Sequence, residues 1–355
     1  MKKKNTSENL EVKPKKYIHV GRLISKSQKK EYPLLNHYKK SDYKKDFRQG
    51  ASIVPRNLLF IDKIKKKKTK NKGEEHNSII SIKPSKYIRS KKYGRWGFQA
   101  YEASKVERDY IFQVAKSTGL LPFNYYRTYD VFLPLEKNGN LNKYVKNKKD
   151  TKYSIKTPNK KWARKHYQLL QNQYQKHRKK SARITNLKDR LNYGHALTNP
   201  LQFQELKIIY AGIGSIVKAA IINGTQILID TSLYYYVPKS LKEAYYLMGY
   251  LNSSILTEHL KVVGSTGASG SLRNIHKHPF KFKFPDFAPE NPTHLKLAKQ
   301  SKNMEGLTNK IIINLIKKNK NLKEKPKSIQ NRIYKNPQYQ KERKKLDNLV
   351  IKLFP

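Results

Sequence analysis

Residues 206–238 read LKIIYAGIGSIVKAAIINGTQILIDTSLYYYVP, and the interpretation of this stretch decides the fold. An apolar run, then Gly212-x-Gly214, then an acid at Asp230 imitates the opening of a nucleotide or S-adenosylmethionine site. A site of that kind needs a helix directly after its glycines. Here the residues after Ser215 are apolar and β-branched, and Asn223-Gly224 stands between two such runs. That order predicts strand, two-residue turn and strand. The expected class is therefore α+β with a mixed sheet, not a Rossmann-type nucleotide fold.

Outside this stretch the chain is dominated by charge. Lys and Arg number 77 against 25 Asp and Glu, a formal net charge of +52 that opposes compaction unless a polyanion neutralises part of it. Nucleic acid is the partner this balance favours, although A+T-rich coding bias also enriches Lys, Asn, Ile and Tyr. With 37% apolar residues over 355 positions, there is material for one large domain or two smaller ones. No Cys is present, which excludes disulfides, thiolate metal sites and a cysteine nucleophile. The opening MKKKNTSENLEVKPKK lacks an apolar stretch and no run of 18 apolar residues follows, so a cytoplasmic protein with no membrane span is expected.

Five segments are expected along the chain. Residues 1–40 form a flexible basic arm, and 41–150 form the first part of an ordered region. Within the latter, GASIVPRNLLFIDKI predicts one or two buried strands, and SIISIKPSKYI a strand that closes a long hairpin. SKVERDYIFQVAK, with Val106, Tyr110, Ile111 and Val114 at helical spacing, predicts a helix stopped by Gly119, and TYDVFLPLEK a strand. Residues 151–195 form a linker and a long basic spacer helix from Trp162 to about Leu191. Residues 196–300 contain the strand pair and the helix or helix pair KSLKEAYYLMGYLNSSILTEHLKVV. Residues 301–355 form a basic helical tail, ending in a stripe of Leu346, Leu349, Val350 and Leu353.

Several motifs compete for a chemical role. An amino-methylating enzyme needs an Asn/Asp-Pro-Pro-aromatic loop beside the extruded base. The nearest match, NPQY at 336–339, lacks the second proline and lies in the basic tail, so it is read as chance. His276-Lys277-His278 offers two imidazoles, but further ligands are distant and lysines repel a dication, so no metal is expected. PDF at 285–287 lacks the Glu-x-Lys of a nuclease site. The strongest binding signal is VVGSTGASGSLRNIHKHPF at 262–280. The backbone amides of Gly264, Ser265, Thr266 and Gly267 suit close approach to a phosphate. Arg273, Asn274, His276 and Lys277 supply donors for base edges or phosphate oxygens. A plain surface turn fits the same composition.

Taken in order, these segments resemble the C-terminal DNA-recognition region of large adenine-specific DNA methyltransferases of restriction-modification systems. The resemblance rests on DFRQGASIVPRNLLFID, DYIFQVAKSTGLLPFNYYRTYDVFLPLE, the stretch from NYGHALTNP to LNSSILTEHLK, GSTGASGSLRNIHKHPFKFKFPDFAPENPTHLKLAKQSK and KKLDNLVIKLFP. Together these cover roughly residues 43–300 and the last dozen. The resemblance implies a target-recognition domain for duplex DNA, with Arg56 and the loop at 264–277 at the DNA. It also implies a partner catalytic domain that binds S-adenosylmethionine and methylates an extruded adenine. No cofactor is expected in this chain, and catalysis by it alone is not expected. The chain would be a separately encoded half of a split methyltransferase or a remnant of one. The alternatives are a basic RNA-binding or ribosome-associated protein, and a complete small methyltransferase using the turn at Gly212.

Overall fold

Two large hydrophobic cores organise the chain, and the strand-rich stretch at 206–238 runs between them. The computed structural model describes residues 41–64, 78–86, 96–138, 153–263 and 274–354. Its α+β class matches the expectation. The expected arm at 1–40 lies outside the described residues.

The described chain opens with α1 (Tyr43–Asp46), β1 (Arg48–Gln49) and the single-turn helix α2 (Arg56–Leu59). A strand was expected through Arg56, but Pro55 in extended conformation starts a helical turn there instead. An antiparallel sheet follows in the order β2 (Ile61–Lys63), β3 (Ile79–Pro84), β4 (Ser104–Glu107). Ile61 faces Pro84 in this sheet, which is the expected hairpin. The helix expected at 104–116 is not formed. β4, a 3-10 turn at Arg108–Tyr110 and β5 (Ile111–Ala115) occupy it. Val106, Tyr110 and Val114 fit both periods, but Phe112 and Val114 point inward with Gln113 exposed between them, the alternation of a strand.

β6 (Leu120–Leu121) and β7 (Asn124–Tyr125) pair as a small hairpin, and β8 (Tyr129–Phe132) lies antiparallel to β5. β9 (Leu135–Lys137) pairs with β10 (Tyr153–Ile155). The helix expected from Trp162 to Leu191 is two elements, α3 (Lys161–His177) and α4 (Leu187–Leu191). Arg178 turns to extended backbone and ends the first, and the Asn186 side chain accepts the Asp189 N–H to cap the second. Ala163, Tyr167, Leu170 and Tyr174 form the buried face of α3 against the first core.

β11 (Leu206–Ala211) and β12 (Ala219–Asn223) are antiparallel, with Tyr210 opposite Ala219 and Leu206 opposite Asn223. No helix follows Gly212 and Gly214, as expected, but the hairpin closes at the Gly-Ile-Gly-Ser loop rather than at Asn223-Gly224. After Asn223 the chain leaves this sheet. β13 (Ile227–Ile229) runs parallel to β5 in a mixed sheet ordered β13-β5-β8. β14 (Leu233–Tyr236) then returns to pair with β11, giving the antiparallel order β1-β14-β11-β12. Asn223-Gly224 is thus a crossover between sheets, a distinction that a dipeptide signal does not carry.

α5 (Leu241–Asn252) and α6 (Ser254–Val263) form the expected helix pair, and α7 (Pro292–Lys318), α8 (Pro326–Lys335) and α9 (Pro337–Ile351) pack behind them. Motifs singled out in the sequence have structural work here. Asn252, in Leu-Asn-Ser, is buried. It donates to the Ala219 and Met248 carbonyls (both 2.9 Å) and accepts the Ala219 N–H (3.1 Å), bolting α5 to β12. Asn291, in Asn-Pro-x-His-Leu, accepts the Thr293 and His294 N–H groups and starts α7, with Pro292 at the first turn. Asn336 likewise starts α9, accepting the Tyr339 N–H at 3.0 Å, so NPQY is a helix start with Tyr339 in the core. The closing stripe buries Leu346, Val350 and Leu353. Among the described residues, no helix is long and apolar enough to cross a membrane.

Candidate nucleic-acid interface

The Gly-Ile-Gly-Ser loop at 212–215 meets the segment that begins at Asn274. Asn274, where the chain re-enters the described residues after the 264–273 loop, forms a β-bridge with Ile213 in the Gly-Ile-Gly-Ser loop. The next two N–H groups, of Ile275 and His276, both donate to the Gly212 carbonyl, at 3.0 and 2.9 Å. Gly212 has no room for a side chain, because a Cβ would stand 3.0 Å from the Tyr234 ring.

His276 has φ 38°, a left-handed conformation that costs a non-glycine residue free energy unless its surroundings impose it. They do so from three directions. Its N–H is held by Gly212, its carbonyl accepts the Tyr210 hydroxyl at 2.6 Å, and its Nδ1 lies 3.4 Å from the Tyr234 hydroxyl. Tyr210 and Tyr234 stack on each other, with centroids 5.4 Å apart and planes 11° from parallel. Phe280, a few residues on, stacks on Phe47 at 4.6 Å. Stacked tyrosines therefore fix the backbone at His276.

Two further cations lie near Lys277. Arg48 is exposed on the edge strand β1, and Lys44 is half-buried on α1. Lys277 is half-buried, and its pKa is lowered first by burial and then by Arg48 and Lys44, with Asp46 opposing. His278 is lowered too, by burial and by Lys281, His276 and Lys44. Like charges held this close repel, and an anion laid across them removes the repulsion. On the other side of the loop, Ile213 is 66% exposed above a cavity of about 260 Å³ whose walls include Ser117, Lys218 and Lys327. Burial lowers Lys218 to a pKa of about 8.

The expected site residues divide. Asn274, His276 and Lys277 lie on one segment, and Lys277 is close enough to feel Lys44 and Arg48, which the sequence reading did not single out. Their signal was proximity in the fold, since β1 lies far from the loop in sequence. Gly264, Ser265, Thr266, Gly267 and Arg273 lie outside the described residues. Arg56 faces inward: its Nη2 is 3.3 Å from both carboxylate oxygens of the fully buried Asp230. The Ser232 N–H completes that carboxylate at 3.0 Å. Gly50 lets β1 approach here, because a Cβ would lie 2.4 Å from the Ile229 and Asp230 carbonyl oxygens. Asp230, suggestive of a cofactor acid in sequence, is thus the counter-ion of Arg56. Among the described residues no cluster of three or more His, Asp or Glu could hold a metal.

No family model matches the chain, and no curated protein matches it in sequence. Its structural neighbours include restriction-modification enzymes. One is the Type IIL enzyme MmeI, solved in complex with DNA, at TM-score 0.42 and 13% identity, covering 92% of this chain and 34% of that one. Another is the type IIG restriction endonuclease BpuSI, at TM-score 0.37 and 10% identity, covering 96% and 33%. The chain spans about a third of the length of each.

Proposed function

We infer that this chain is a duplex-DNA target-recognition module whose S-adenosylmethionine-binding catalytic domain, for adenine methylation, lies outside this sequence. The observation that supports this reading best is the convergence of Lys44, Arg48 and Lys277 where the 264–273 loop returns at Asn274 and His276. Cations spread over an edge strand and a helix suit the phosphates of a duplex, which fix register but carry no sequence information. Asn274 and His276, held by the Tyr210–Tyr234 floor, suit base edges, as do the loop residues before them. Arg56 acts behind this surface as the partner of Asp230. The Gly212 turn lacks the helix that a nucleotide site needs, which disfavours a complete small methyltransferase. The test is labelled methyl transfer from S-adenosylmethionine to DNA. The chain alone is expected to transfer none, and the chain supplied with a catalytic domain from the same locus is expected to methylate adenine at one defined site. Transfer by the chain alone would overturn the division of labour.

A further inference from the structure

The cavity of about 260 Å³ beside Ile213 is walled by the Gly-Ile-Gly-Ser loop, the 3-10 turn at Ser117–Gly119 and the first turns of α8. Lys218 and Lys327 are the charged residues that line it, with no Asp or Glu beside them. Lys218 is half-buried, and burial alone lowers its pKa, with no carboxylate acting on it. A cation withdrawn from water is costly unless an anion or a full set of acceptors meets it.

Hydrogen-bond accounting shows what Lys218 lacks. A protonated lysine has three donors. Lys207, which burial also lowers to about 8, gives its donors to the carbonyls of Gln202, Gln204 and Gly224 and is complete. Lys218 donates to the Leu120 carbonyl at 3.1 Å and to Gln330 Oε1 at 2.9 Å, which leaves one proton over. Because Gln330 Oε1 accepts from Lys218, the other end of that amide is a donor. Gln330 Nε2 has no partner among the described residues and, unlike the sealed unpaired atoms of the core, it reaches solvent. The N–H groups of Ser215 and Ile216, on the loop wall, have no partner among the described residues either. Ser215 is exposed and Ile216 half-buried. The unmet groups of this wall are thus all donors.

We propose that this cavity is an oxyanion site that takes a phosphate group, with Lys218 as its partly buried charge and Gln330 Nε2 and the Ser215 and Ile216 N–H groups as neutral donors. Successive backbone N–H groups and a lysine suit an anion with acceptors in several directions. A cation, an amine or an apolar ligand would leave every one of these donors unmet. The phosphate is either the free ion or part of a nucleic-acid backbone, which presents the same oxygens. The inference stands apart from the recognition role, since inorganic phosphate tests it with no DNA present.

The backbone amide resonances of Ser215 and Ile216 would be followed by NMR while inorganic phosphate, or separately a short duplex of arbitrary sequence, replaces chloride at constant ionic strength. Saturable shifts of both amides are expected. Lys218→Gln is expected to weaken phosphate binding on the order of tenfold, and Lys299→Gln, which removes an exposed lysine of α7, to leave it unchanged. A response to phosphate identifies the free ion as sufficient, and a response to the duplex alone identifies a backbone phosphodiester. No shift with either, or shifts that grow without saturating, in wild-type protein that retains cooperative melting would overturn the assignment. Undiminished binding by a folded Lys218→Gln protein would overturn it as well, and the wild-type titration stands by itself if that variant does not fold.

Discussion

Asn274 is bridged to Ile213, which ties the segment beginning at Asn274 to the tip of the Gly-Ile-Gly-Ser loop. What holds them is the pair of N–H donations to the Gly212 carbonyl and the stacked tyrosines beneath. Tyr210 and Tyr234 belong to the β1-β14-β11-β12 sheet, which serves as the frame.

Arg48→Ala and Lys277→Ala are expected to weaken duplex binding about equally for all sequences, because on the proposed function each group serves phosphates. Each should reduce the slope of log affinity against log salt by about 0.9. Fluorescence anisotropy across a salt series with two unrelated duplexes checks this. A loss confined to one duplex would instead make that residue a base reader.

Gly212→Ala would place a methyl group 3.0 Å from the Tyr234 ring, which is already stacked on Tyr210 and has little room to retreat. A stability loss of about 1–3 kcal/mol is expected from this overpacking. Sequence selectivity should fall with it, since Tyr234 buttresses His276. Denaturant unfolding and competition binding measure the two effects separately.

Much of this frame was legible in the sequence. Strand periodicity placed β11 and β12 and argued against a nucleotide fold, and the cap residues Asn291 and Asn336 gain their meaning from the helices they start. Three things were not legible. Val106, Tyr110 and Val114 satisfy helix and strand spacing alike, and pairing with β8 and β13 selects the strand. The Asn223-Gly224 signal states that the chain turns, not which sheet it enters. Arg56 looked like a surface cation because its partner Asp230 lies far along the chain, and burial of that carboxylate cannot be inferred from local composition.

Arg56→Met should therefore act on stability more than on DNA selectivity. Removing the guanidinium leaves Asp230 buried and unpaired, and a loss of about 3–5 kcal/mol is expected. Adding Asp230→Asn should recover part of it. Chemical denaturation of the two single variants and the double variant tests the coupling. A stable Arg56→Met protein with altered sequence preference would return Arg56 to the DNA surface.

His166 is buried between the edges of Tyr101 and Phe132, and burial lowers its pKa from 6.5 to about 3. The unfolded chain takes up a proton near pH 6.5 that the native chain refuses until about pH 3. Stability from this group is thus complete above pH 6.5 and lost progressively as pH falls toward 3, by up to about 1.4 kcal/mol per pH unit. His166→Phe should remove this share of the acid sensitivity, seen as a smaller fall in thermal midpoint between pH 7 and pH 5.

Competition binding of the intact chain tests its central role most directly. A labelled duplex selected from a random pool would be challenged with unrelated duplex and with structured RNA at fixed, near-physiological salt. Retention of the selected duplex against both competitors is expected, at a ratio of about 10³ or more over unrelated DNA, with Asn274→Ala narrowing that ratio. Equal displacement by unrelated duplex, or preferential displacement by RNA, would contradict duplex target recognition and leave the +52 charge as the signature of an RNA-binding protein.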